Sequence, residues 1–237
     1  MNNFKALIDD ICLMGDFDPD YNIFAILIAG LKKLDFDLQE CRYIGKHNLK
    51  IVRIIISNFV ILRKFFAMRG QVSHIIVLND RFIMPLAWLL SKVFRKKLIF
   101  HAVISRYVTK AYEQDTLSSN SIKGKFWYFL EKFAFLAADQ IIVTTDEFRN
   151  LFNKIFSVDK MKFSVIPVGG VPISNPPKYQ KSNGTEKFIV TYWGNFLPQH
   201  GVETIVESAW QIAMENYPDI EFRMIGKGYC LEEIREK

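Results

Sequence analysis

The chain has 237 residues, half of them hydrophobic, 24% charged and 14% aromatic, with a formal net charge of +6. This composition excludes a disordered tail, a collagen-like repeat and a coiled coil, and it supplies enough apolar side chains for a sizeable core. Three well-separated cysteines, Cys12, Cys41 and Cys230, exclude a disulfide scaffold or a Cys-rich zinc module and suit a reducing compartment.

Short β-branched runs alternate with longer helical ones, the pattern of stacked βαβ units around a parallel sheet. Residues 6–14 (ALIDDICLM) predict a first strand, and residues 22–33 a helix with Ile23, Leu27 and Leu31 on one face. A second strand is expected over 36–43, followed by a long helix over 48–68 that ends at Arg69–Gly70. Residues 74–79 (HIIVLN) predict strand three, 82–94 its helix, and 97–103 (KLIFHAV) strand four. A polar loop over 105–121 leads to an aromatic helix at 124–137, then strand five at 139–144, a helix at 146–156 and strand six at 162–167.

The segment 169–184 (GGVPISNPPKYQKSNG) holds three glycines and three prolines, the composition of a linker. Beyond it the pattern restarts: a strand at 187–193, a helix at 201–216, a strand at 219–225, a turn at 226–228 and the start of a helix at 231. The expected organisation is an N-terminal Rossmann-like domain over 1–168, a linker over 169–186, and an incomplete second domain over 187–237. Two strands do not bury both faces of a parallel sheet, so they either add to the first domain's sheet or belong to a fragment that stops within the second domain, the latter being the expectation.

The charge is unevenly spread. Between Arg42 and Lys110 stand fourteen Lys or Arg and one acid, Asp80, so this stretch carries +13 and the remainder −7. The cations sit among large apolar residues, as in RIIISNFVILRKFFAMRG and LLSKVFRKKLIF. Such segments suit an anionic membrane surface, to which each Lys or Arg near the headgroups adds about 1 kcal/mol. No helix-turn-helix, zinc-finger or RNA-binding aromatic signature supports nucleic acid as the partner. The longest uncharged apolar stretches (21–31, 54–62 and 82–91) fall short of the roughly 18–20 residues that span a bilayer. The acids in MNNFKALIDDICLM do not fit a secretory signal, so a soluble, cytoplasmic protein is expected.

In an open parallel sheet the ligand sits beyond the carboxyl ends of the strands. The first strand is followed by GDFDPDYN rather than G-x-G-x-x-G, and neither a P-loop nor a G-x-S-x-G elbow is present, so no dinucleotide cofactor is expected. The four histidines are scattered, so no metal site is expected. His101 stands near the end of strand four, ahead of Ser105 and Arg106; it reads either as a functional residue or as a histidine packed in the sheet. Asp80 follows strand three and reads either as acceptor-side or as the N-cap of the next helix. In YWGNFLPQHG (192–201) one glycine ends a strand and another opens a helix, whose N–H groups are suited to phosphate.

The order VIPVGGV, linker, strand–GNFLPQHGVETIVESA, PDIEFRMIGKG resembles the inter-domain passage of glycosyltransferase family 4 (group 1), and LAADQIIVTTDEFRNLF is similar to the strand and helix before it. KKLIFHAVISRY takes the place of that family's fourth strand. The resemblance implies the GT-B fold, with two Rossmann-like domains facing a cleft. It further implies transfer of a sugar from a nucleotide-sugar, with retained anomeric configuration and no catalytic metal. The second domain would bind the donor. The first would bind a lipid-linked or glycan acceptor and dock on the inner membrane leaflet, in surface-glycan synthesis.

Carried over residue by residue, Gly194 matches the glycine of the donor-diphosphate loop, and Gly226 and Gly228 match the G-x-G after the next strand. Asn195 stands where the family commonly has Arg, and His200 where it commonly has Lys, so both phosphate-neutralising cations are weakened; His200 keeps a hydrogen bond or part of a charge. Gly15 stands for the glycines after strand one that let the backbone approach the donor phosphate, and is carried over as donor-binding. His101 stands for the histidine beside the transferred sugar, with Asp80, Ser105 and Arg106 on the acceptor side. The family's E-x7-E pair has no counterpart in place: Glu207 and Glu215 share its spacing but fall on the first helix of the second domain and read as exposed positions, so this stretch alone is expected to be incomplete or inactive as a hexosyltransferase-like enzyme. The alternatives are a non-catalytic membrane- or acceptor-binding protein that requires a second chain to complete its donor domain, and another GT-B-like enzyme such as a nucleotide-sugar epimerase.

Overall fold

The computed structural model describes residues 10–45, 48–113, 116–170 and 187–236. The front of the expected first strand (6–9) and most of the expected linker (171–186) lie outside the described residues. The chain divides into two compact units, one of residues 1–111 and 117–172 and the other of residues 112–116 and 173–237.

The first unit is α/β. Its six strands are β1 (Asp10–Met14), β2 (Leu38–Cys41), β3 (Val72–Leu78), β4 (Lys97–His101), β5 (Gln140–Val143) and β6 (Phe163–Val165). They pair in parallel in the order β2-β1-β3-β4-β5-β6. The central strands are apolar on both faces, as a sheet covered on both sides demands: Cys12, Leu13 and Met14 of β1 and Val77 and Leu78 of β3 are all buried.

Right-handed crossovers decide which face each helix covers. The single step from β1 to β2 puts α1 (Asn22–Lys33) on one face, where Phe24 and Ile28 pack on Ile11, Leu13, Ile76 and Leu78. The steps in the opposite direction put α2 (Lys50–Met68), α3 (Met84–Val93), the one-turn α4 (Arg106–Val108), α5 (Ile122–Ala137) and α6 (Asp146–Phe156) on the other. There Ile61, Phe65, Leu90, Phe135, Phe152 and Phe156 close over Cys12, Ile75, Val77 and Phe100. Phe135 and Phe156 stack with centroids 4.8 Å apart.

Capping chemistry places several boundaries. Ser121 accepts from the Gly124 N–H at 3.0 Å and starts α5 two residues ahead of the sequence expectation. Thr145 accepts from the Phe148 N–H at 3.2 Å, with Asp146 and Glu147 in the first turn of α6, where the helix dipole favours acids. The stretch expected as a polar loop from 105 is helical over its first part, because Ser105 caps α4 by accepting from the Val108 N–H at 3.0 Å. A π turn, Thr109–Glu113, continues it.

The second unit is one parallel βαβ: β7 (Phe188–Asn195), α7 (Val202–Met214) and β8 (Ile220–Lys227), followed by α8 (Leu231–Glu236). Its core is small, built from Phe196, Val202, Cys230 and Ile234. The expected turn at 226–228 is in part strand, since Gly226 pairs with Gly194 and Lys227 with Asn195. Glycine is what lets the ladder run through: Gly226 has φ +156°, and a Cβ there would lie 1.8 Å from the Gly194 carbonyl oxygen.

Candidate functional site

The strand order reverses between β1 and β3, and the crevice beyond their carboxyl ends is where an open α/β sheet receives ligands. Gly15 and Asp16 leave β1 there, and Asn79 and Asp80 leave β3. Gly15 has φ +132°, and a Cβ on it would stand 3.0 Å from the Asp80 Cβ, so only glycine permits this approach. The Asp80 carboxylate is held between two backbone donors, with Oδ2 accepting from the Asp16 N–H at 2.9 Å and Oδ1 from the Phe82 N–H at 3.0 Å. Burial pushes its carboxyl above the usual carboxylate range against the pull of those bonds. Asp80 therefore caps the turn that leads into α3 and also ties the β1 loop to the β3 loop.

Beside Asp80, Arg81 enters the protein. Its Nη1 donates to the Asn79 carbonyl at 2.8 Å, and its Nε lies 3.3 Å from Glu131 Oε1 on α5. Glu131 is fully buried and serves a whole turn: Oε1 accepts from the Arg106 N–H at 2.8 Å and the Tyr107 N–H at 3.2 Å, while Oε2 accepts from the Ser105 hydroxyl. One carboxylate thus fixes both Arg81 and the turn that carries Arg106. The Arg106 guanidinium lies over Trp127 of α5, 5.9 Å from the ring centroid.

These groups enclose a pocket of about 200 Å³. Lys50, Arg53 and Ser57 line it from α2, Asp16, Asp80 and Arg81 from the strand ends, and Arg106 and Trp127 from α4 and α5. Arg53 pairs with Asp16 across it. Of the expected first-domain residues, Asp80 and Arg106 line the pocket, Gly15 backs Asp80, and Ser105 stands behind on Glu131.

His101 is placed elsewhere. It shares the α1 face of β4 with Ile99 and lies edge-on to Phe24, ring centroids 5.9 Å apart. At 3% exposure its Nδ1 has no hydrogen-bond partner. Burial pushes its pKa down to about 4, so the ring is neutral at physiological pH. Its backbone carbonyl accepts from the Asn79 N–H at 3.0 Å, and the Asn79 side chain in turn accepts from Val103 and Ile104, so the ends of β3 and β4 are laced together.

In the second unit, the Asn195 carbonyl accepts from the Tyr192 hydroxyl and from His200 Nδ1, each at 2.7 Å. A carbonyl only accepts, so Nδ1 carries the proton and Nε2 is the ring atom left for a ligand. Gly201, at φ +61°, is the N-cap of α7 and offers no side chain to cover its N-terminus. Gly194, Asn195, His200, Gly226 and Gly228 therefore gather at one end of the β7–β8 pair, around Phe196. Glu207 and Glu215 are exposed. Among the described residues, no group of three His, Cys, Asp or Glu side chains comes together, and no helix is long and apolar enough to cross a membrane.

Sequence reasoning missed Arg53, Ser57, Arg81 and Glu131. For Glu131 a signal exists, because it is the lone acid in the aromatic run FWYFLEKFAFLA. An acid in such a helix is either solvent-facing or buried against a partner.

No protein-family model matches the chain, and no curated protein matches it. Among solved structures it is similar to a variant of S. aureus TarM in complex with fondaparinux, α-GlcNAc-glycerol and UDP, at 17% identity and TM-score 0.42, over 68% of this chain and 30% of that one. It is also similar to the glycotransferase of kitacinnamycin, at 13% identity and TM-score 0.47, over 91% of this chain and 65% of the other. A third is Arabidopsis thaliana UGT89C1 complexed with UDP-L-rhamnose, at 11% identity and TM-score 0.47, over 93% and 69%. The chain therefore spans less than a third of the first of these proteins and about two thirds of the other two.

Proposed function

We propose that the chain is the acceptor-side unit, and the opening of the donor-side unit, of a GT-B glycosyltransferase that moves a sugar from a nucleotide-sugar to an acceptor hydroxyl. The observation that carries this is the pocket beyond β1 and β3, set at the strand-order reversal and built from fixed charged side chains. The resemblance of residues 139–228 to glycosyltransferase family 4 supports the same function. In the reaction the bond from the anomeric carbon to the diphosphate oxygen breaks. The acceptor oxygen bonds that carbon as its hydroxyl proton departs, and the family resemblance implies retained configuration.

The donor diphosphate would lie at the Gly194–Gly201 loop, against the uncovered start of α7, where backbone N–H groups favour an anion. His200 Nε2 is the ring atom that would face a phosphate oxygen, since Nδ1 is held by the Asn195 carbonyl.

A lipid-linked acceptor and a peripheral place on the inner membrane face fit the surface of α2. Ile51, Ile55, Phe59 and Phe66 stand exposed along one side of it, flanked by the exposed Arg63. Partner-dependent function, with a second chain completing the donor unit, is favoured by one observation: Phe188, Trp193 and Trp210 are exposed, Trp193 to 85%.

Photolabelling with an azido nucleoside diphosphate tests the donor assignment. Label recovered in the peptide containing 194–201, and competed by nucleotide-sugar, is expected. Label spread without saturation over the chain would overturn it.

A further inference from the structure

We infer that the pocket beyond β1 and β3 holds a phosphate group; taking the first unit as the acceptor side, a reading on which this step rests, the acceptor is a phosphate or diphosphate ester. Two buried polar groups point to a ligand. Arg81 is 3% exposed, and although Nη1 and the Glu131 side of the guanidinium are engaged, Nη2 donates to nothing. Ser57 is 6% exposed, and its hydroxyl also lacks a partner. Both residues line the same pocket. Buried donors left unpaired are costly, and an incoming acceptor group recovers that cost.

The charge around them selects an anion. Among the described lining residues, Arg53 is paired with Asp16 and Arg81 with Glu131, which leaves Lys50 and Arg106 as the cations without a carboxylate partner. Asp16 is neutralised by Arg53, and both oxygens of Asp80 are occupied by backbone N–H groups. The donors converge from three directions, α2, the turn after β3 and α4. A tetrahedral phosphate with several acceptor oxygens meets that arrangement, where a planar carboxylate offers two. The arginine fork is matched to phosphate oxygens. The volume of about 200 Å³ is below the ~300–1,000 Å³ of whole small-molecule sites, as expected for one charged group with the rest of its molecule outside.

The test is calorimetric titration of the chain with inorganic pyrophosphate, with the Trp127 indole N–H followed by NMR. Saturable binding that shifts Trp127 is expected. Ser57→Ala removes a hydroxyl that has no partner to lose, so it should leave the melting temperature unchanged or higher while weakening pyrophosphate about tenfold. Arg81→Lys keeps the charge, removes the Nη2 donor and should weaken binding at least as much. Glycerol phosphate and vesicles of phosphatidylcholine with or without phosphatidylglycerol identify the source of the phosphate. Ser57-dependent binding to the soluble ester supports a free phosphoester, and Ser57-dependent binding to anionic vesicles alone supports a lipid headgroup. Absent binding, or binding untouched by both substitutions, overturns the phosphate site. If photolabelling of 194–201 survives that result, the donor assignment stands and the phosphate site alone falls; if pyrophosphate binds and photolabelling fails, the reverse holds.

Discussion

Arg81 and Glu131 are buried against one another, Nε 3.3 Å from Oε1, with side chains 3% and 0% exposed. The pair joins the turn after β3 to the middle of α5, and Glu131 extends the link to the start of α4 through Ser105, Arg106 and Tyr107. A buried pair contributes little net stability when compared with apolar side chains, yet removing one member leaves the other charge uncompensated. It sets geometry here: without it neither Arg81 nor Arg106 has a fixed place in the pocket.

Glu131→Gln should therefore destabilise the chain by about 3–5 kcal/mol in urea denaturation. The double variant Arg81→Met/Glu131→Gln should lose less than the sum of Arg81→Met and Glu131→Gln. Losses that simply add would show that Arg81 and Glu131 are not energetically coupled.

His101 makes stability depend on pH with a definite sign. Its pKa is about 4 in the folded chain against the ordinary histidine value of 6.5, so between these values the unfolded chain binds a proton that the native chain refuses. Stability is full above the unfolded value, falls as pH drops through the window, and levels off below the folded one. The loss is on the order of 3 kcal/mol. His101→Phe should flatten this part of the profile, and an unchanged slope in urea midpoints would remove His101 as its source. Asp80 acts in the opposite direction, since a raised carboxyl pKa makes the native state the stronger proton binder as pH climbs through the acid range.

Gly226→Ala should cost roughly 2–4 kcal/mol and strip amide-exchange protection from β7 and β8, because the new Cβ meets the Gly194 carbonyl and the backbone is left at a positive φ. Retained protection across Tyr192–Gly194 would contradict the close approach of the two strands.

Membrane contact through α2 predicts sedimentation with vesicles that contain anionic lipid, falling as salt rises. Phe59→Ser, on the exposed side, should weaken it roughly tenfold without unfolding the chain. Ile61→Ser, on the buried side, should instead destabilise the fold. Binding indifferent to Phe59 and to anionic lipid would exclude this surface.

Much of the fold is legible in the sequence. The apolar run of 48–68 places α2 to within two residues, and Ile61 and Phe65, one turn apart, are its buried contacts with the sheet. HIIVLN and KLIFH identify β3 and β4, because strands buried on both faces leave continuous apolar runs. The site is legible only in part. Asp80 and Arg106 are marked by following strands, but Glu131 lies 50 residues from Arg81 and 25 from Arg106, and its role exists only once α5 packs. Residues 105–113 read as loop for the same reason, since the N–H groups that start the turn are satisfied by that distant carboxylate. His101 is found on the expected strand, yet the face it takes depends on which side α1 covers, a property of the crossovers rather than of the local sequence.

Sugar transfer from a nucleotide donor stands or falls on nucleotide recognition by the second unit. The measurement is an equilibrium titration of the chain with nucleotide-sugars and the matching nucleoside diphosphates and nucleosides. Saturable binding of nucleotide-sugar that is displaced by the diphosphate, not by the nucleoside, and weakened by His200→Ala is the predicted result. No saturable binding across the series, or equal displacement by nucleoside and diphosphate, would contradict it.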